Sequence, residues 1–347
     1  MSEIKRPRWK EVKYSRNEVN KAGDIVRKDN PTQEEMDFAL QVIDNWRVAH
    51  AYPLHVFYMY LRRMAASRSD VLVVERLKRL DSIVEKLKRE SKMQLWRMQD
   101  LGGCRLIAPS VGEALLYAKK YMGSRVRHAY IGEKDYISDP KRSGYRSFHL
   151  IYKYHSEKKE TYNHNMRIEM QFRSHLQHVW ATALETMGVF TKQALKAGEG
   201  DTDVKRFFAL VSSLIAKQEG YPMVPGTPED VEEIISEIEI INDRHRIIDK
   251  LRAIRVAIDH SSEKFGKKGY YVLILRYLVR RLSITYFQPS QIEEANTLYT
   301  KIESEYKSEN IDAVLIHAES FSDLRAAYPN YFADLGEFIQ LVENYLR

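Results

Sequence analysis

The chain has 347 residues, of which 44% are hydrophobic, 30% are charged and one is cysteine. This composition excludes collagen-like, low-complexity and broadly disordered proteins. A single cysteine excludes internal disulfides and zinc sites built from several thiolates, so we expect no zinc. No apolar run is long enough to span a bilayer, and the charged N-terminus lacks a secretory signal. We therefore expect a cytoplasmic protein of about two domains without membrane contact.

The net charge of +7 hides a division between the two parts of the chain. Residues 1–220 carry a net charge of +13, whereas residues 221–347 carry −6. The basic part suggests a polyanionic partner such as a nucleotide or RNA, and the acidic part is suited to dock on the basic part or compete for it. Two ordinary solvated surfaces explain the charges alone equally well.

The first hundred residues are predicted to be mostly helical. Ser69 or Asp70 is a candidate N-cap for a helix in which apolar residues recur every three or four positions from Val71 to Leu87. Gly102 and Gly103 break this pattern. A mixed α/β core follows, with one helix between short β-type runs. The helix is predicted over 111–121 and the strands over 104–108, 125–131, 148–154 and 166–173.

The second half begins with two predicted helices, 175–187 and 207–218, followed by a turn-rich boundary at 220–228. A long amphipathic helix is predicted over 231–260. A small α/β module closes the chain, with strands at 270–275, 282–287 and 313–317, a helix at 291–306 and a helical C-terminus. We therefore predict three parts: a domain over 1–225, a linking helix within 226–265, and the C-terminal module over 266–347.

Two clusters of polar residues lie in the first half. Asp100 precedes a pair of glycines and Arg105, a combination that suits a metal ion and phosphates but also fits a generic turn into a strand. In the predicted helix before it, Lys78, Ser82 and Lys86 recur every four residues and would share one side. Such a side can hold phosphates, although a solvated basic face is its commoner meaning.

Two further clusters follow. The segments 134–137, 140–141 and 144–149 combine cations for a polyphosphate with Tyr145, whose ring offers a base a surface to stack on. Strand alternation places Glu169, Gln171 and Arg173 on one face. A basic surface loop and ordinary solvent-facing residues are the alternatives for these two clusters.

Taken together and in this order, the clusters resemble the RelA/SpoT synthetase family of pyrophosphokinases. Several ordered motifs over about a hundred residues are far more specific than any one of them. The matching residues are Arg76, Lys78, Ser82, Ile83, Lys86, Asp100, Gly103, Arg105, 134–137, Pro140, Lys141, 144–149, Glu169, Gln171 and Arg173.

The resemblance implies an α/β (α+β) fold: a nucleotidyltransferase-like synthetase domain with a mixed sheet and flanking helices. It also implies Mg²⁺-dependent transfer of pyrophosphate from ATP to a ribose 3′-hydroxyl. Gly132 stands where members of the family have a basic residue, which leaves the acceptor open. The implied roles are catalysis and Mg²⁺ binding for Asp100 and Glu169; ATP binding for Arg76, Lys78, Ser82, Lys86, Arg105 and Lys134; and acceptor binding for Lys141, Tyr145, His149, Gln171 and Arg173.

The toxic small synthetases have stretches similar to residues 14–23, 45–54, 98–100 and 177–182. Residues 324–332 resemble the pseudo-zinc-finger antitoxin module of the CapRel-type fused toxin–antitoxin group. This implies a phage-defence enzyme that pyrophosphorylates the 3′-CCA end of tRNA and so inhibits translation. Tyr328 and Tyr331 would keep it inactive until a phage major capsid protein binds, although their spacing alone favours core packing. The alternatives are an alarmone synthetase that uses GDP or GTP and a non-catalytic RNA-binding regulator.

Overall fold

The computed structural model describes residues 9–195, 201–254, 257–260, 268–276, 278–305, 311–332 and 334–347. The first part of the chain contains α1 (Arg16–Ile25), α2 (Gln33–Ala49), α3 (Ala51–Met64), β1 (Leu72–Leu77), α4 (Leu80–Arg89), β2 (Gly102–Ala108), α5 (Val111–Met122), β3 (Ala129–Asp135), β4 (Phe148–Lys153), β5 (Arg167–Ser174), α6 (His175–Leu195) and α7 (Asp201–Glu219). The second part contains α8 (Val231–His245), α9 (Ile247–Ala253), β6 (Ala257–His260), β7 (Gly269–Arg276), β8 (Arg281–Phe287), α10 (Ile292–Glu305), β9 (Ile311–Ala318), α11 (Phe321–Ala327), α12 (Pro329–Phe332) and α13 (Gly336–Tyr345).

The first helices begin at strong local signals. Ser15 with Glu18, and Thr32 with Glu35, form reciprocal capping boxes that satisfy the free N–H groups at the starts of α1 and α2.

Among the described residues, no helix is both long and apolar enough to cross a membrane.

One mixed sheet runs through both parts of the chain. Its order is β3-β4-β5-β2-β1-β9-β7-β8-β6, with β2 and β5 parallel and β1 antiparallel to β2. The C-terminal strands join through β1 and β9, where only two residue pairs align, Glu75 with His317 and Arg76 with Ile316. The predicted α/β class with a mixed sheet and flanking helices is therefore confirmed.

The two faces of the first five strands differ in chemistry. On one face, Leu106, Met170 and Phe172 are buried in the largest apolar core, and α3 and α5 pack against β2 and β5. The opposite face is polar at the same strands and is approached by α6 and α11. The main core therefore supports the sheet from behind and leaves one face for chemistry.

The predicted helix through residues 69–87 is wrong. Leu72–Leu77 is a largely buried strand between β2 and β9, and the helix begins only at Leu80. Apolar residues at 71, 74 and 77 mimic a helical period. Val73 and Val74 are nevertheless both buried, because an apolar core packs against each face of the sheet at this strand. Lys78 therefore lies before α4, where its N–H donates to the Leu101 carbonyl at 2.8 Å.

The single long helix predicted over 231–260 is also wrong, so the predicted linking helix within 226–265 is not continuous. The helix ends at His245 because Arg246 adopts a left-handed conformation with φ of 51°. Then α9 and β6 follow, while residues 255–256 and 261–265 lie outside the described part of the chain.

The strand predicted over 125–131 begins later, at Ala129, and extends to Asp135. The other predicted elements are confirmed within a few residues of their bounds, although α6 and α7 are longer than predicted. Tyr306, the predicted last residue of the helix at 291–306, lies outside the described residues. The confirmed elements are the strands at 104–108, 148–154, 166–173, 270–275, 282–287 and 313–317 and the helices at 111–121, 175–187, 207–218 and 291–306.

Candidate active site

The strand register brings the predicted site residues to one face of the sheet. Arg76 lies opposite Gly103, which lies opposite Glu169. In the neighbouring row, Arg105 lies opposite Gln171, Gln171 opposite His149, and His149 opposite Lys134. Directly opposed residues point to the same side. Side chains from five strands therefore meet on the polar face.

Asp100 lies just before β2, between two lysines. Lys86 Nζ lies 2.9 Å from each Asp100 carboxylate oxygen, and Lys78 Nζ lies 3.1 Å from Oδ2. Burial alone would raise the pKa of Asp100, but the two ammonium groups outweigh burial and lower it. The carboxylate therefore stays ionised beside the two ammonium groups. Ser82 lies in the first turn of α4, half-buried.

Glu169 is the second carboxylate and is almost fully buried. His149 Nδ1 lies 3.2 Å from Oε2, and Gln171 Nε2 donates to Oε1 at 2.8 Å. Burial would raise the pKa of Glu169, but these two contacts and the charge of Lys134 overcome it and lower the pKa to about 2. Glu169 is thus ionised at neutral pH.

These contacts belong to a closed ring of five side chains. The Nη2 group of Arg173 donates to the Gln171 amide oxygen at 2.9 Å and to the Tyr145 hydroxyl at 2.7 Å. The Tyr145 hydroxyl lies 2.9 Å from His149 Nε2, which returns the ring to Glu169. The ring fixes the orientation of every member.

Gly144 holds Tyr145 in place. Its φ is +87°, and a Cβ at this position would lie 2.9 Å from both Ser212 Cβ and Trp180 Cζ2. The backbone can therefore approach α6 and α7 this closely only with glycine. The Lys141 ammonium lies 5.3 Å from the centre of the Tyr145 ring.

Arginines make the region near β1 strongly cationic. Burial lowers the pKa of Arg105 to about 10, and repulsion from Arg173 and Arg76 adds to the effect. The Nε of Arg105 is buried and, within the described residues, has no hydrogen-bond partner. An unpaired guanidinium N–H beside other cations is suited to a phosphate group. Lys134 lies on β3, at the edge of the sheet away from β1, with Nζ 3.2 Å from Gln99 Oε1.

The two carboxylates fit a magnesium ion. Asp100 and Glu169 are close enough that the charge of Glu169 opposes the ionisation of Asp100. Both stay ionised, and carboxylate oxygens are the protein ligands that Mg²⁺ prefers. Lys78 and Lys86 contact the Asp100 carboxylate in this arrangement, so a metal ion held by Asp100 would have to displace them.

Tyr328 and Tyr331 are both buried, and the core that they join includes Val74 of β1 and Ile316 of β9. The Tyr328 hydroxyl lies 3.4 Å from the Glu75 carbonyl. Burial raises the pKa of Tyr328 to about 12, against the opposite effect of the Arg76 and Arg105 charges. The spacing argument for core packing is correct, and this core lies against the cationic face.

The sequence analysis missed the ion pairs that join the two parts of the chain. Arg79 pairs with Asp312 of β9, and Arg47 Nη1 lies 2.7 Å from Glu303 of α10. The opposite net charges of the two parts were the available signal. Charge sums, however, do not indicate which residues meet.

Comparisons with known proteins bear on the first part of the chain. Residues 75–192 match the family described as a region found in RelA/SpoT proteins. The GTP pyrophosphokinase YjbM of Bacillus subtilis (strain 168) is 32% identical over 112 residues, which span 32% of this chain and 52% of that protein. The chain thus covers only about half the length of this curated relative.

Solved structures show a weaker likeness. Small alarmone synthetase 1 from Bacillus subtilis, bound to its product pppGpp, is 23% identical, with a TM-score of 0.40 over 50% of this chain and 89% of that one. A GTP pyrophosphokinase family protein from Streptococcus pneumoniae is 20% identical, with a TM-score of 0.39 over 65% of this chain and 100% of that one. The stretch that matches the family, residues 75–192, includes every residue predicted to bind ATP or the acceptor.

Proposed function

We propose that the chain transfers pyrophosphate from ATP to a ribose 3′-hydroxyl. The observation that carries this proposal is the pairing of two ionised carboxylates, Asp100 and Glu169, with a row of cations on one face of the sheet. The match of residues 75–192 to RelA/SpoT proteins supports the same chemistry.

In the proposed reaction the 3′-oxygen attacks the β-phosphorus of ATP. A bond forms between these two atoms, the bond from the β-phosphorus to the α–β bridging oxygen breaks, AMP leaves, and the hydroxyl proton is released to solvent. Negative charge spreads over the phosphate oxygens, where Arg76, Arg105 and the lysines beside Asp100 stabilise it. Mg²⁺, held by Asp100 and Glu169, would add a fixed positive charge at the same oxygens.

Glu169 is proposed to orient the attacking hydroxyl by accepting its hydrogen bond. A pKa of about 2 makes Glu169 too weak a base to retain the proton, so orientation is its better-supported contribution. The ring through His149, Tyr145, Arg173 and Gln171 holds the carboxylate still. Tyr145 offers its ring to the acceptor base.

The proposed acceptor is the 3′-CCA end of tRNA. The net charge of +13 over residues 1–220 supports a polyanion larger than one nucleotide. The exposed Lys141 and Arg142 beside Tyr145 extend the positive surface beyond a single base. GDP or GTP is the second candidate, favoured by the similarity of this chain to the GTP pyrophosphokinase YjbM of Bacillus subtilis.

We also propose that the structure represents an inhibited state. Tyr328 and Tyr331 pack next to Arg76, and α11 covers the part of β1 from which the ATP-binding residues project. A phage major capsid protein is the proposed trigger that displaces this module and allows the enzyme to inhibit translation in defence. Release of Arg76 from these rings would open the way to the triphosphate.

The acceptor assay tests the proposed activity. Purified full-length protein is incubated with ATP labelled in the β-phosphate and with tRNA or GDP, in the presence and absence of a candidate capsid protein. Label on the tRNA 3′ end supports the proposal, and label only in guanosine nucleotide supports the second candidate. RNA binding without transfer, unchanged in Asp100→Asn, would support a non-catalytic regulator.

A further inference from the structure

A histidine–glutamate–histidine cluster lies behind the proposed active site. Glu75 and Arg76 are neighbours in β1 and point to opposite faces, so Glu75 faces away from the nucleotide side. It meets His55 of α3 and His317 of β9, and one potential ligand atom from each residue lies within 4.8 Å of the other two. Glu75 lies at the start of the stretch that matches RelA/SpoT proteins, His55 precedes that stretch, and His317 belongs to the C-terminal module.

The cluster leaves buried polar atoms without partners. His55 Nδ1 lies 2.9 Å from Glu75 Oε1, and His317 Nδ1 lies 3.7 Å from the same oxygen. Glu75 is 6% exposed and His317 3% exposed. Within the described residues, neither Glu75 Oε2 nor His317 Nδ1 has a hydrogen-bond partner. Each such atom costs about 1–3 kcal/mol, which indicates a missing ligand or water.

A small cavity adjoins the two buried residues. It has a volume of about 30 Å³, and its lining includes Glu75, His317, Trp9 and Tyr270. This space holds one ion or one water and is far too small for a nucleotide. The ring centre of Trp9 lies 5.3 Å from that of His55, and the ring centre of Tyr270 lies 4.9 Å from that of His317. These aromatic rings pack against the two imidazoles and limit the positions that the imidazoles can take.

The local charges are compatible with a cation. The cationic neighbours Lys268 and Arg62 are turned to Glu319, with nitrogen–oxygen distances of 3.1 and 3.9 Å. Glu319 therefore offsets much of their repulsion of an ion.

We propose that His55, Glu75 and His317 bind one transition-metal ion, best fitted by Zn²⁺, with a water as the fourth ligand. Two imidazoles and one carboxylate form a donor set that zinc accepts, and no thiolate is needed. The expectation of no zinc did not consider these three residues. Because the ligands come from both parts of the chain, bound metal fastens β9 to α3 and β1.

Metal binding to the full-length chain, freed of any affinity tag and stripped with chelator, tests this inference. Equilibrium dialysis against Zn²⁺ followed by elemental analysis should give one ion per chain. Co²⁺ in its place should give the intense visible absorption of a four-coordinate site. His317→Gln and His55→Gln should each lose the ion, whereas His155→Gln, at an exposed histidine, should retain it.

Thermal denaturation gives a second readout that does not depend on catalysis. Zn²⁺ should raise the melting temperature of the native chain and of His155→Gln but not of the two site variants. His55 is 25% exposed in its side chain, so His55→Gln decides the matter if His317→Gln does not fold. Less than stoichiometric zinc in the native chain, or equal binding by His55→Gln, would overturn the proposal and leave a water-bridged polar cluster. Because neither readout involves ATP, failure here leaves the proposed activity untouched.

Discussion

The change Asp312→Asn should release the proposed inhibited state. Asp312 lies on β9 and pairs with Arg79 at the start of α4, so this ion pair joins the C-terminal module to the segment that carries Lys78 and Lys86. Asparagine keeps the shape and a hydrogen-bonding oxygen but removes the charge. The strand pairing at this junction covers only two residue pairs, so the ion pair should contribute a substantial part of the attachment.

The magnitude follows from the burial of the two side chains. Asp312 is 4% exposed and Arg79 28% exposed. Two unit charges 4 Å apart interact by about 4 kcal/mol at an effective dielectric constant of about 20. The remaining hydrogen bond and the partial exposure of Arg79 reduce the expected loss to about 1.4–2.8 kcal/mol. That loss corresponds to a roughly tenfold to hundredfold larger open population.

The assay is growth inhibition and ATP consumption by the full-length chain without a trigger. Asp334→Asn is the matched control, because Asp334 pairs at 3.1 Å with Arg325 inside the module and on its surface. Asp312→Asn should raise activity about tenfold or more, and the control should not change it. Hydrogen exchange in β7 and β8 establishes that the module stays folded. An unchanged Asp312→Asn, or equal activation by the control, would refute the reasoning.

Three further changes probe the site. Tyr145→Phe keeps the stacking ring but loses the hydroxyl that links Arg173 to His149, so kcat should fall about tenfold with little change in the acceptor KM. Tyr136→Phe, whose hydroxyl has no hydrogen bond to any described residue, should match the native enzyme. Gly144→Ala should lower stability by about 1–3 kcal/mol or more, while Gly112→Ala, with open space at its Cβ, should not, as denaturant titration can show. Folding lowers the pKa of Glu169 from 4.5 to about 2, so ionised Glu169 stabilises the fold by about 3 kcal/mol above pH 4.5. This contribution is lost as the pH falls through 2. The Glu169→Gln variant should therefore lose less stability than the native chain in acid unfolding.

The sequence was a better guide to which residues share a face of the sheet than to the elements that carry some of them. Glu169, Gln171 and Arg173 could be placed on one strand face because a period of two is visible in a short segment. Lys78 and Lys86 were assigned to one helix, although Lys78 lies before it. Apolar residues every third position occur by chance in a strand that is buried on both faces, so local periodicity cannot decide that case.

Long-range geometry accounts for the other differences. One left-handed residue, Arg246, ends α8, and no glycine or proline there signals the break. The pairing of β1 with β9 involves two residue pairs that are far apart in the sequence. The cluster of His55, Glu75 and His317 forms only when these strands pair. None of its members shows a metal-binding spacing in the sequence.

The central claim is that Asp100 and Glu169 act as one unit on the cationic face. Its most direct test is single-turnover transfer from labelled ATP by Asp100→Asn, Glu169→Gln and the double variant, all in an activated background such as Asp312→Asn. Each single change should reduce the rate by about 10²-fold or more, and the double variant should be no slower than the slower single variant. Near-native transfer by either single variant, or a double loss equal to the product of the two single losses, would contradict the account.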